Sequence, residues 1–215
     1  MGIYVEAIIL YIILFFSGSA GSLSYRASAE EFSISAELAG IFMYSIPSFV
    51  LIWYLLLKAK PLKEWGVFPG KNDLISGLIT LPCLLITGFA AAFASSNISG
   101  TSSQLALHSP STAAGWIILC VSCVSAAYLE ESFFRFYILS RRDELKLAEA
   151  PALVISVALF SICHIYEGPW GFLNAIISGS VLAFIFLRYR ALHGIAAAHG
   201  IYNIAVYAIN AVIQN

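Results

Sequence analysis

The sequence predicts an all-α protein, a polytopic transmembrane helical bundle of about seven spans with a buried polar site on its C-terminal helices. Hydrophobic residues make up 60% of the 215 and charged residues only 11%, with a mean hydropathy of +0.87. Soluble domains run near a quarter charged, so this composition belongs to lipid. The apolar residues also fall into runs near the ~20 residues that cross a bilayer core. Three stretches then break the apolar pattern: Glu130-Glu131-Ser132-Phe133-Phe134-Arg135, Phe160-Ser161-Ile162-Cys163-His164 and His199-Gly200-Ile201-Tyr202-Asn203. Ionisable groups are expensive in a bilayer, so such residues face a protein interior and act there.

The runs cover residues 3–22, 38–57, 74–93, 113–139, 151–165, 170–187 and 191–213. The first has no Lys or Arg ahead of it and no small-residue cleavage site, so it reads as a retained span. Glu6 stands where a myristoylation signal needs Ser or Thr, which implies no lipid anchor. The fifth and sixth runs are short, tilted or incomplete, and Tyr166-Glu167-Gly168-Pro169 is the turn between them, with Trp170 at interface depth. Residues 94–112 form a Ser-, Thr- and Ala-rich connection without Lys, Arg, Asp or Glu. Asn97-Ile98-Ser99 has the form of a glycosylation acceptor, relevant only in a eukaryotic source. The 215 residues fit one integral membrane domain, with the motifs in its C-terminal half, about 113–213.

Of the 11 Lys and Arg residues, Lys58, Lys60, Lys63, Lys71, Arg141, Arg142, Lys146, Arg188 and Arg190 follow even-numbered spans. Arg26 is alone on the other side, and Arg135 lies within the fourth span. The positive-inside rule then predicts a cytoplasmic N-terminus and an external C-terminus. Compact size and the lack of organelle signals point to a prokaryotic plasma membrane. The net charge of −1 and the absence of basic runs exclude nucleic acid as a partner. Cys83, Cys120, Cys123 and Cys163 all lie in apolar segments and read as packing residues. His108 and His193 read as solvated or interfacial.

Glu131 and Arg135 are four residues apart, so on a helix they share a face and pair. Glu130 points about 100° away, which leaves it the freer carboxylate and the candidate base. Measured at about 1.5 Å per residue, Glu130, His199 and His164 lie roughly 15, 13 and 20 Å deep, close enough for three helices to join them. His199 and Asn203 share a face and enter the site together. Amide hydrolysis needs an activated water, a stabilised oxyanion and a proton for the leaving amine. Glu130 supplies the base, His164 positions the water, and His199 and Asn203 donate to the oxyanion. Cys163 beside His164 makes no strong dyad, because helix neighbours point apart. No HExxH motif is present, although two His and one Glu leave a zinc-assisted version open.

At these residues the chain resembles the CPBP family of intramembrane proteases, also called Abi or CAAX-protease-like, which includes the Rce1-type prenyl-protein endopeptidases. EExxxR is Glu130 to Arg135, FxxxH is Phe160 to His164, and HxxxN is His199 to Asn203. The resemblance implies a helical membrane bundle with a buried glutamate-dependent site reachable from lipid or cytoplasm. It makes Glu130 the essential glutamate, with His164, His199 and Asn203 completing the site and Glu131 and Arg135 supporting it. It also implies a membrane-anchored protein or peptide as substrate and no cofactor, with zinc as the alternative. Many members carry Gly directly after the motif arginine, where this chain has Phe136, which bears on how closely helices approach there. The rival readings are a proton- or ion-coupled transporter using the same groups as a relay, and a non-catalytic membrane scaffold.

Overall fold

The computed structural model describes residues 2–16, 32–98 and 108–214. They form seven helices: α1 Ile3–Phe16, α2 Ile34–Ala59, α3 Lys71–Ile98, α4 Ala113–Leu139, α5 Glu149–Ile162, α6 Gly168–Tyr189 and α7 Leu192–Gln214. Single 3-10 turns occur at Leu62–Trp65 and Ile165–Glu167. No strand occurs among the described residues. Helices α2, α3, α4 and α7, together with Ile165–Tyr189, are long and apolar enough to cross a membrane, while α1 and α5 are shorter apolar helices. The seven apolar runs thus correspond one to one with seven helices of an integral membrane bundle.

Helix ends depart from the hydropathy runs for local reasons. Helix α2 starts earlier than position 38 because Ser33 caps it, its hydroxyl accepting from Ala36 N at 3.4 Å. Helix α3 starts before position 74, where Asp73 Oδ2 reaches back to accept from Gly70 N at 2.9 Å, one arm of a capping box. It continues past Phe93 through Ala94, Ser95 and Ser96, where hydropathy falls but nothing breaks the helix. Asn97, read from sequence within a loop, belongs to this last turn and donates through Nδ2 to Phe93 O at 2.7 Å. Arg26, Ser99 and the rest of 99–107 lie outside the described residues.

Helix α4 begins where expected, capped by Thr112, whose hydroxyl accepts from Gly115 N at 3.1 Å. It is α-helical to Glu131 and then widens into a π-helix over Ser132–Leu139. Ser140 N accordingly donates to Arg135 O, five residues back, at 3.1 Å. All eight π-helical residues are buried. Their rings are closed in by Tyr11 and Phe15 of α1, Trp53 of α2, Phe160 of α5 and Phe186 of α6.

Two close approaches set the C-terminal helices. A side chain at Gly194 would collide with Asp73 O and Ser76 Oγ, so α7 crosses α3 in near backbone contact, and Gly194 N donates to Asp73 Oδ1 at 3.0 Å. Gly179 admits the Phe160 ring, whose Cδ1 would lie 2.7 Å from an added Cβ. Small residues permit such approaches between membrane helices. At one end of the bundle, Glu6 meets Arg141 at 3.3 Å, Lys60 meets Glu144 at 3.7 Å, and Asn72 Nδ2 donates to Tyr189 O at 3.1 Å. These contacts gather the cationic loops and the start of α1 together. His193, read from sequence as solvated or interfacial, is half-buried and bonded through both nitrogens. Its Nε2–H donates to Val67 O at 2.6 Å, and Nδ1 accepts from Tyr128 O–H at 3.2 Å.

Phe136, directly after the motif arginine, is fully accommodated by the helices around it. Its ring lies 5.6 Å from Trp53 and 5.3 Å from Phe186, filling the space between α2 and α6. Phe136→Ala should cost about 3–5 kcal/mol of stability, the usual penalty for emptying a buried ring site. Thermal unfolding in detergent micelles checks this, and an unchanged midpoint would show that the site collapses around the smaller side chain.

Candidate active site

Glu130 and Glu131 are the last two residues of α4 before it widens, and they diverge as neighbours on a helix must. Glu131 and Arg135 are fully buried and lie 3.1 Å apart through Oε2 and Nε. The guanidinium also donates to Ser156 Oγ of α5 and to Gly179 O of α6, each at 3.4 Å. Its carbon sits 5.0 Å from the Phe160 ring centre and 5.9 Å from that of Phe134, within cation–π range. One charged group on α4 thereby touches both following helices.

The second oxygen of Glu131 reaches α7, where His199 Nδ1 lies 3.0 Å from Oε1. A carboxylate only accepts, so Nδ1 carries the proton and Nε2 is the nitrogen turned toward Glu130 Oε2, at 3.8 Å. Glu130 Oε2 is buried and accepts no hydrogen bond. This arrangement separates the carboxylates as the sequence spacing predicts, with Glu131 committed to Arg135 and His199 and Glu130 uncommitted. The contact between Glu131 and His199 was not legible from spacing, because it joins different helices.

His164 follows the end of α5, and its Nδ1–H donates to Phe160 O at 2.8 Å, which leaves Nε2 as the open nitrogen of the ring. The Phe160 ring stands 4.6 Å from the ring of His164 and 6.0 Å from that of His199, so it lies against both imidazoles. Glu130 lies within electrostatic reach of His164, Cys163 and Tyr44. Asn203 is half-buried one turn beyond His199, with no hydrogen bond to the cluster among the described residues.

The expectation that Cys163 and His164 point apart is corrected. Helix α5 ends at Ile162, and the turn brings Cys163 Sγ to 3.6 Å from His164 Nδ1. Both side chains nevertheless donate to Phe160 O, with Sγ at 2.9 Å. Ser156 and Gly179 were missed from sequence, since each contributes through a contact with Arg135 and not through a motif. Phe160 was visible as the first letter of FxxxH, but its place against both histidines was not.

An apolar groove of about 440 Å³ opens between α2 and α4, lined by Ile46, Phe49, Val121, Val124 and Tyr128 among others. Val124 packs on Gly200, the residue after His199. Tyr128 and Glu130 are two residues apart on α4 and so point to different sides of the helix, with no residue of the polar cluster lining the groove. Among the described residues no group of three His, Cys, Asp or Glu side chains is placed to hold a metal ion.

Removing one member of a buried ion pair strands the other. Arg135→Leu should cost about 3–5 kcal/mol, and the double substitution Arg135→Leu with Glu131→Leu should recover part of that loss. A thermal-unfolding cycle in micelles measures the coupling, and strictly additive losses would contradict a direct pair.

Residues 112–205 match the family model of Type II CAAX prenyl endopeptidase Rce1-like proteins. No curated protein and no solved structure matches the chain. The matched segment starts at the cap of α4 and ends just beyond Asn203, so it holds all three polar motifs and the helices that carry them. The C-terminal part of this integral membrane protein, residues 112–205, thus carries the Rce1-like signature of the Type II CAAX prenyl endopeptidases, a family of membrane proteases.

Proposed function

We propose that the protein is an intramembrane endopeptidase that hydrolyses a peptide bond of a membrane-anchored protein or peptide with a water activated by Glu130. The observation that carries this reading is the division of labour between adjacent carboxylates. Glu131 is held by Arg135 and His199, whereas Glu130 Oε2 is buried, unbonded and 3.8 Å from His199 Nε2.

In this reading Glu130 takes a proton from water as the oxygen attacks the scissile carbonyl. His164 helps hold that water through Nε2, the nitrogen left open by the bond from Nδ1–H to Phe160 O. The developing oxyanion receives hydrogen bonds from Asn203 Nδ2 and from His199 Nε2 when that ring is protonated. Glu130 then returns its proton to the leaving amine. Glu131 and Arg135 hold this geometry without touching the reacting atoms.

The apolar groove between α2 and α4 suits an apolar chain on the substrate, in keeping with the prenyl substrates named for the matching family. We propose a prokaryotic plasma membrane with the cationic end of the bundle in the cytoplasm, the orientation that the positive-inside rule favours. The mechanism proposed is metal-free, and chelation separates it from a zinc-assisted version.

The test compares newly formed peptide termini in membranes holding wild-type protein or Glu130→Gln, with and without a chelator. Glu130→Gln should lower cleavage by about 10²–10⁴-fold, the worth of a general base. Chelation should leave the wild type active. Termini equal in both membranes would defeat the protease reading, and ion flux lost in Glu130→Gln without new termini would favour a relay. Loss of cleavage on chelation would favour zinc.

A further inference from the structure

Asn174 lies on α6 between Leu173 and Ala175, an amide in an apolar span that takes no part in the mechanism above. Its Nδ2 donates to Tyr202 Oη on α7 at 3.1 Å, while its Oδ1 is buried and accepts nothing. A buried acceptor left without a donor is costly, and lipid offers no water to satisfy it. Tyr202 itself is seated against Gly88 of α3, where any side chain would collide with its hydroxyl. Helices α6 and α7 both pack closely on α3 and touch each other at few points. The hydrogen bond from Asn174 to Tyr202 therefore spans a seam between two helices that are otherwise separable.

The seam leads to the polar cluster. Asn174 is five residues before Gly179, whose carbonyl accepts from Arg135, a distance of about 7.5 Å along α6. Tyr202 is three residues after His199, about 4.5 Å along α7. An extended peptide rises about 3.3 Å per residue, so two or three residues reach from the cluster to Asn174.

We infer that Asn174 Oδ1 is a substrate subsite: it accepts one backbone N–H of a peptide lying along the seam between α6 and α7, two or three residues from the bond that is cut. This rests on the endopeptidase reading of the cluster. The incoming N–H supplies the donor that Oδ1 lacks, so binding gains an interaction without breaking an existing one. Tyr202 holds the amide by its other end and sets the direction of the acceptor. Asn174 is thus a positioning residue for the peptide backbone and reads no side chain.

The test uses a farnesylated CAAX-type peptide and copies in which each backbone N–H near the scissile bond is N-methylated in turn. Full-length wild type, Asn174→Leu and Tyr202→Phe are assayed in micelles, and peptide binding is followed by fluorescence anisotropy on the Glu130→Gln background. One N-methyl position should weaken wild-type binding and raise KM about tenfold with kcat little changed. Asn174→Leu should show the same loss with the parent peptide and no further loss with that N-methyl copy. Tyr202→Phe, which keeps Oδ1, should retain sensitivity to N-methylation. Unchanged KM in Asn174→Leu, additive losses, or no binding of the peptide would overturn the inference. Binding with the expected N-methyl pattern but no cleavage by wild type would uphold the subsite while defeating the endopeptidase reading.

Discussion

The Glu131–Arg135 pair is the constraint on which the C-terminal half of the bundle depends. Two full charges with no solvent access are tolerable only at short range and with their remaining valences met by other groups. Those groups come from three helices: Ser156 from α5, Gly179 O from α6 and His199 from α7. None of these helices can slide or rotate much without stranding a charge. Buried ion pairs add little net stability, since desolvation consumes most of the Coulombic gain. Here the pair fixes a geometry, and it does so with residues set apart from the uncommitted carboxylate.

The π-helix makes that geometry attainable. A regular α-helix keeps one stripe facing its partners, yet residues 132–139 are buried all round. Enclosure by α1, α2, α5 and α6 creates the requirement, and four rings, Phe133, Phe134, Phe136 and Tyr137, meet it. Ser156 ties the widened backbone to α5, because its hydroxyl donates to Phe134 O at 2.8 Å while Oγ accepts from Arg135. The aromatic shell also excludes water from the pair, which strengthens every electrostatic contact inside it. Local backbone shape, packing and charge placement are here one feature.

How far the sequence discloses this follows from what each signal measures. Hydropathy senses the environment of a segment, so it found seven helices but missed ends fixed by hydrogen bonds at Ser33 and Asp73. Spacing senses one helix at a time, so i,i+4 separations placed Glu131 with Arg135 and freed Glu130. It could not join Glu131 to His199, which are 68 residues apart, or place Phe160 against both imidazoles. The π-helix left no trace in the pattern because apolar residues on every side fit either helix type. At Phe136 the sequence raised the question of how closely helices approach, and only the neighbouring Trp53 and Phe186 show how the ring is packed.

The filled and unfilled valences of the site point in one direction. Arg135 has partners on every side, Glu131 is shared between two cations or donors, and the Nδ1–H of each histidine is spent on an oxygen. Left open beside the amide of Asn203 are Glu130 Oε2, His164 Nε2 and Asn174 Oδ1. Proton-bearing groups must come to them, since the lipid around these helices has none to give. Water and a peptide backbone together bring such groups, the first to Glu130 and His164 and the second to Asn174. Open valences inside such a bundle are complementary to the water and peptide of the proposed hydrolysis in a way that a fully paired ionic cluster would not be.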